Sequence, residues 1–196
     1  MKSAFVSIAA ALLVFGLTAG CERTLTEQWA DQHYARGYVL AQQGRHKEAL
    51  LELSRAIRLD PDLAAAHTTI GDIHRDRGSH ELARRSYENA CQANPYAFRP
   101  HYNLGVTYQI LSEAAETYVK SEELLRKAVL VYLRAMELES GDFDTHLNLS
   151  ACYFQLGKYD MAEQYCKSAI DIKPESPEAH SNLGTIYDSQ NRLYDA

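Results

Sequence analysis

His101-Tyr102-Asn103-Leu104-Gly105-Val106-Thr107-Tyr108 decides the fold, because its pattern returns along the chain: His67-Thr68-Thr69-Ile70-Gly71, His146-Leu147-Asn148-Leu149-Ser150 and His180-Ser181-Asn182-Leu183-Gly184. A looser copy, His33-Tyr34-Ala35-Arg36-Gly37, precedes them. The histidines stand 34, 34, 45 and 34 residues apart. Alanines follow in phase at Ala49, Ala83, Ala128, Ala162 and Ala196, then at Ala56, Ala90, Ala135 and Ala169 seven residues later. Each copy closes at Pro61, Pro95 or Pro174, with Ser140 in the corresponding place of the third. Several residue types agreeing in phase mean a stack of similar units.

Each unit reads as two antiparallel helices that cross closely, with glycine in the first and alanines in the second leaving room for the backbones. Tyr108, Tyr153 and Tyr187 on first helices, and Leu53, Tyr87 and Tyr132 on second helices, fall at the helical spacing of a buried stripe. The residue before each proline is pushed out of the helical region and ends the second helix. The period of 34 with its Leu-Gly, Tyr, two Ala and Pro resembles the tetratricopeptide repeat (TPR) over residues 30 to 196. That resemblance implies an all-α fold, a right-handed superhelical solenoid of antiparallel helix pairs. Its repeats run 30–63, 64–97, 98–142, 143–176 and an incomplete 177–196, about four and a half in all. One repeat buries too little apolar surface to stand alone, so stability comes from stacking.

The front of the chain differs in kind. Lys2 is followed by an uncharged, largely apolar run from Ala4 to Leu17, too short to span a bilayer, which needs about 20 residues. Residues 1–20 therefore read as a secretory signal. Leu17-Thr18-Ala19-Gly20-Cys21 resembles a bacterial lipobox, although Thr18 stands where leucine is usual. The resemblance implies acylation of Cys21, a short tether over residues 21–29, and attachment to the membrane without a spanning segment. Trp29, the sole tryptophan, caps the apolar end of the stack or anchors at headgroup level. Glu22 is not the aspartate that retains lipoproteins at the inner membrane, which points to the outer membrane, facing the periplasm.

The formal charge of -6 becomes -7 once Lys2 leaves with the signal, and no basic stripe is present to neutralise phosphates, so nucleic acid is not an expected partner. Cys91, Cys152 and Cys166 have no metal-ligand spacing. Cys152 and Cys166 lie on the two helices of one repeat, placed to bridge in an oxidising compartment or to pack as small apolar side chains.

Between Tyr108 and Ala128 the spacing is 20 where other repeats have nine, an insertion of 11 residues. The expectation is a lengthened first helix or a helical protrusion over residues 109–120, with the second helix starting near Ser121 and with Tyr118 and Val119 at the tip as partner contacts or as tolerated surface. In TPR proteins the first helices line a groove that takes peptides. The candidate groove residues are Tyr34, Tyr38, Thr69, Asp72, Tyr102, Asn103, Asn148, Phe154 and Asn182. Asn103, Asn148 and Asn182 share one repeat position, and a ladder of amides that both donate and accept suits the main chain of an extended peptide. Similar asparagine ladders line the TPR superhelix of the eukaryotic O-linked N-acetylglucosamine transferase. No lysine occupies the groove positions, which sets the chain apart from the carboxylate-clamp chaperone binders of the family.

Successive histidines of the recurring series belong to different repeats, and His67 and His74 are about 10.5 Å apart along one helix, too far for one metal centre, so no metal is expected. A loosening near pH 6 to 7 stays open, since burial disfavours charged imidazole. No nucleophile elbow, zincin motif or phosphate loop is present, and no enzyme activity, cofactor or small-molecule substrate is expected. The expected role is a lipid-anchored adaptor for a protein or peptide in the cell envelope, similar in layout to pilotin-like and envelope-assembly lipoproteins. The alternative is the substrate-recruiting N-terminal part of a larger enzyme or assembly factor.

Overall fold

The computed structural model describes residues 25–190; the segment read as a signal, Cys21 and the last six residues lie outside them. Nine helices and no strand are present among the described residues. They are α1 (25–42), α2 (His46–Leu59), α3 (Ala64–Asp76), α4 (His80–Ala93), α5 (Phe98–Glu113), α6 (Tyr118–Leu138), α7 (Phe143–Gln155), α8 (Tyr159–Ile172) and α9 (Pro177–Ser189). Helix α1 is already formed at residue 25, inside the stretch read as a tether. The described residues form two compact units, with the boundary between Ile70 and Gly71.

In the first unit α1 packs on α2 through Gly37, where an added Cβ would stand 2.7 Å from Leu53 Cγ. Ala30, Ala49, Ala56 and Ala66 are fully buried, as a close crossing requires. His33 bonds through Nδ1 to Glu52 at 2.7 Å.

The second unit repeats that contact. A Cβ on Gly71 would lie 2.5 Å from Tyr87 Cε1, and one on Gly105 would lie 2.6 Å from Tyr132 Cε1. Where the first helix carries Ser150 instead, the residue at the same register of the second helix is the small Cys166. The Ser150 hydroxyl donates to the Ala162 carbonyl at 2.8 Å and Cys166 Sγ donates to the Ala179 carbonyl at 3.2 Å, both fully within the core. Cys152 and Cys166 are free, buried thiols, and burial pushes Cys152 up to about 12.

Turns explain the helix lengths. Gly44, Gly78 and Gly157 follow first helices at φ near +70°, a conformation favouring glycine, and the next residue's N–H reaches back to the carbonyl five positions earlier. The third repeat has Ser112 at that place, buried and helical, so nothing stops α5 there. The inserted length then goes to both helices. α5 reaches 16 residues and α6 reaches 21, against 14 in α4 and α8. Helix α6 begins at Tyr118, three residues ahead of Ser121, with the Thr117 side chain accepting from Lys120 N–H at 3.2 Å.

The recurring histidines tie each first helix to the turn before it. His67, His101, His146 and His180 donate from Nε2 to the carbonyls of Pro61, Pro95, Ser140 and Pro174 at 2.9, 3.2, 2.9 and 2.7 Å. A carbonyl only accepts, so Nε2 carries the proton and the ring needs no second one. The Nδ1 atoms of His74, His101 and His146 are buried with no partner among the described residues.

Gly105→Ala forces its new methyl into the fully buried Tyr132 ring and should cost about 1–3 kcal/mol in urea unfolding. Gly184→Ala, which meets nothing within 4 Å among the described residues, should be neutral or stabilise by up to about 1 kcal/mol. A second expectation concerns pH. Burial holds His101 and His74 below the ordinary imidazole value, with Arg134 adding for the first and Arg77 for the second while the Pro95 carbonyl opposes for the first. The folded chain thus binds fewer protons than the unfolded one near pH 6. This stability is full above about pH 6.5 and is lost as pH falls through the lower folded values, so the melting temperature should drop on acidification, less steeply in His101→Gln.

Candidate functional site

Within the second unit α5 touches α7 and α7 touches α9, whereas α4, α6 and α8 make no such contact with one another. The first helices are therefore the inner row of this stack, the surface on which solenoids present an extended binding face. What that row offers depends on which polar groups are already engaged.

Asp72 is engaged most heavily. Its Oδ1 accepts from the Tyr87 hydroxyl at 2.8 Å and from Asn103 Nδ2 at 3.0 Å, and its Oδ2 accepts from Arg99 Nη2 at 2.7 Å. Arg75 Nη2 stands 3.7 Å from the same carboxylate. This one side chain joins α3, α4 and α5, and burial followed by the Asp72 charge drives the Tyr87 phenol far above its ordinary value. Asn103 is only 5% exposed, so its amide is spent on the carboxylate and not turned outward. Thr69 is buried too, its hydroxyl donating to the Ala65 carbonyl of its own helix at 2.9 Å.

The next amide repeats the pattern. Asn148 Nδ2 donates to the Tyr102 hydroxyl at 3.3 Å, and the Tyr102 ring stacks on Phe98 at 5.8 Å and meets the edge of Tyr132 at 6.0 Å. Burial raises the Tyr102 phenol, with Asp144 adding. Asn103 and Asn148 thus each bond back to the preceding first helix, a coupling between repeats. Further out, Tyr108 donates to Glu88 at 2.7 Å, and burial with that carboxylate pushes the phenol up to about 12.

The third amide faces open space. Asn182 and Phe154 come together at a pocket of about 130 Å³ between α7 and α9, with Ala151 and Ile186 giving it an apolar floor and Thr185 also lining it. Phe154 is held from behind by Tyr159, ring centroids 5.6 Å apart. Ala151 and Thr185 follow the repeat glycine or serine by one residue, the register that holds Asp72 in the second repeat, which is the sequence signal for their place on the row. A shallower depression of about 370 Å³ lies at the α5–α6 turn, lined by Ser112, Glu116, Thr117, Tyr118, Leu125 and Leu156. Tyr118 and Val119 are both strongly exposed there. In the first unit, Tyr34 and Tyr38 lie along α1 with rings 6.0 Å apart.

A family model described as TPR repeat matches residues 37–74 and 71–112, and one described as Tetratricopeptide repeat matches residues 143–176. The chain belongs to the tetratricopeptide repeat family. Superkiller complex protein 3 of Homo sapiens is 23% identical over 146 residues, 74% of this chain but 8% of that protein. The probable UDP-N-acetylglucosamine–peptide N-acetylglucosaminyltransferase SPINDLY of Hordeum vulgare is 28% identical over 137 residues, 69% of this chain and 14% of that protein. This TPR chain therefore spans a small fraction of the length of these curated relatives. Among solved structures, YrrB, a TPR protein with an unusual peptide-binding site, aligns with a TM-score of 0.72 at 21% identity, over 82% of this chain and 77% of its own. At that identity the likeness establishes the TPR fold, and that fold supports a protein or peptide partner.

Asp72→Ala strands the Tyr87 hydroxyl and the Asn103 amide and should cost about 1–3 kcal/mol in chemical unfolding. Arg99→Ala removes a partner that is 63% exposed and should cost no more than about 1 kcal/mol. Equal losses from the two variants would refute this ranking.

Proposed function

We propose that this chain is an exported TPR adaptor, tethered through an acylated Cys21 and holding a protein or extended peptide in the cell envelope on its α5–α7–α9 row. The observation that carries the binding part is the pocket between α7 and α9. Asn182 offers an amide at its mouth while Phe154, Ala151 and Ile186 give it an apolar floor the size of one side chain. An extended peptide would bond its main chain to the amide and seat a single aliphatic or aromatic residue below. Binding is the whole activity in this reading, with neither cofactor nor nucleic acid, and the exposed Tyr118 and Val119 form a second contact at the inserted turn.

Support for the anchor comes from the sequence: the apolar run from Ala4 to Leu17 and the small residues before Cys21. No helix among the described residues is long and apolar enough to cross a membrane. An acylated cysteine would supply attachment without one, and Glu22 favours the periplasmic face of the outer membrane. The much greater length of the curated relatives favours a second reading, in which these repeats recruit substrates for a longer enzyme or assembly factor. A reading frame continuing well past the codon for Ala196 would select it.

Affinity-tagged full-length protein, drawn from detergent-solubilised membranes, should recover a partner that Asn182→Arg loses by about tenfold, a difference of 1.4 kcal/mol. Cys21→Ser should move the chain from the membrane fraction to the soluble one. An Asn182→Arg protein that keeps its partner sinks the pocket, and a Cys21→Ser protein that stays with the membrane sinks the anchor.

A further inference from the structure

Helix α1 carries two faces. Ala30 and Gly37 turn toward α2 and are buried, while Leu25, Trp29, Gln32, Arg36 and Val39, at steps of three and four residues, share another. On that second face Leu25 is 46% exposed, Trp29 56% and Val39 52%, so the sole tryptophan of the chain keeps more than half of its surface open. A stripe of large apolar side chains left in water marks a surface that something covers.

The chain length ahead of the stripe says what that is. Resting on the proposed acylation of Cys21, three residues, 22–24, separate the anchor from a helix already formed at residue 25. Four Cα steps reach about 14 Å at full extension, and Trp29 lies one turn further, about 6 Å along the axis. Headgroup regions are about 5–7 Å deep on each side of the hydrocarbon, and the first turns of α1 are held within about 20 Å of the anchored sulfur, in reach of that layer. Three residues are also too few to fold back over a face about 21 Å long. Tryptophan settles at that depth, ring in the apolar boundary and N–H in the wet layer, and the Arg36 guanidinium further along suits lipid phosphate.

We infer that the Leu25–Trp29 face of α1 is a membrane-interface surface, seated in the headgroup layer beside the acylated Cys21, so that the lipid chains and the helix fix the orientation of the first repeat together. The acyl group gives attachment. The helix face gives direction.

Because Trp29 is the only tryptophan, its fluorescence reads this face alone. Full-length protein purified from bacterial membranes is reconstituted into phosphatidylethanolamine–phosphatidylglycerol vesicles, with and without brominated acyl chains, after the mass of the Cys21 peptide has been measured. The expected result is an acylated mass, a blue-shifted emission, and quenching by brominated lipid that Leu25→Glu weakens while its own Cys21 mass is unchanged. An acylated protein whose Trp29 is untouched by brominated lipid overturns the inference and leaves the anchor standing. Accessibility to aqueous acrylamide then means a face in water, and protection with a doubled particle mass means a second copy covers it. A bare Cys21 thiol overturns the anchor and the inference built on it.

Discussion

A steric fit between facing helices governs everything above the level of the single helix. At Gly37, Gly71 and Gly105 the first helix has no side chain, and Leu53, Tyr87 and Tyr132 of the second helix lie where a Cβ would have been. The large side chain fills the space its partner vacates, so each of these pairs packs closely with one big residue and one absent one. Ser150 opposite Cys166 divides the space differently, a larger residue on one side and a smaller one on the other. Bringing the backbones together also turns the alanines of second helices into core residues: Ala56, Ala90, Ala135 and Ala169 are all fully buried.

Close packing leaves polar groups stranded unless they find partners, and the chain finds them locally. The imidazoles donate to carbonyls six residues back, which satisfies turn groups that the ends of the second helices leave open. Asp72 gathers a phenol, an amide and a guanidinium from two further helices. Buried polar networks are costly when incomplete, so these bonds fix which helix sits beside which as much as they add stability.

The repeat period, the helix pairs and the crossing residues were legible in the sequence because they depend on side-chain size, which the residue name states. Which polar atom meets which was not. The asparagines at 103, 148 and 182 look equivalent in sequence, yet their surroundings differ by what the preceding repeat supplies: Asp72 for the first, the Tyr102 hydroxyl for the second, an open pocket for the third. Each neighbour comes from a position that varies between copies, so the residue pattern carries no sign of it. The insertion shows the same limit. Its length was countable, but its division between α5 and α6 turns on Ser112 standing where other repeats have a glycine in the left-handed region.

Those unequal surroundings bear on where a ligand can be read. An amide already donating to a neighbouring helix must break that bond before it serves a peptide, and the exchange gains little, since one hydrogen bond is traded for another. Asn103 is shut in by burial as well. A peptide laid along the inner row therefore meets a rigid, self-satisfied surface at α5 and an open pocket between α7 and α9. In the proposed reading specificity belongs at the latter, where an unfilled apolar floor gains from being covered and the polar rim loses nothing by changing partners. The same residue position thus holds the stack together in one repeat and lines an open pocket in another, and the difference is made by whatever stands one repeat before it.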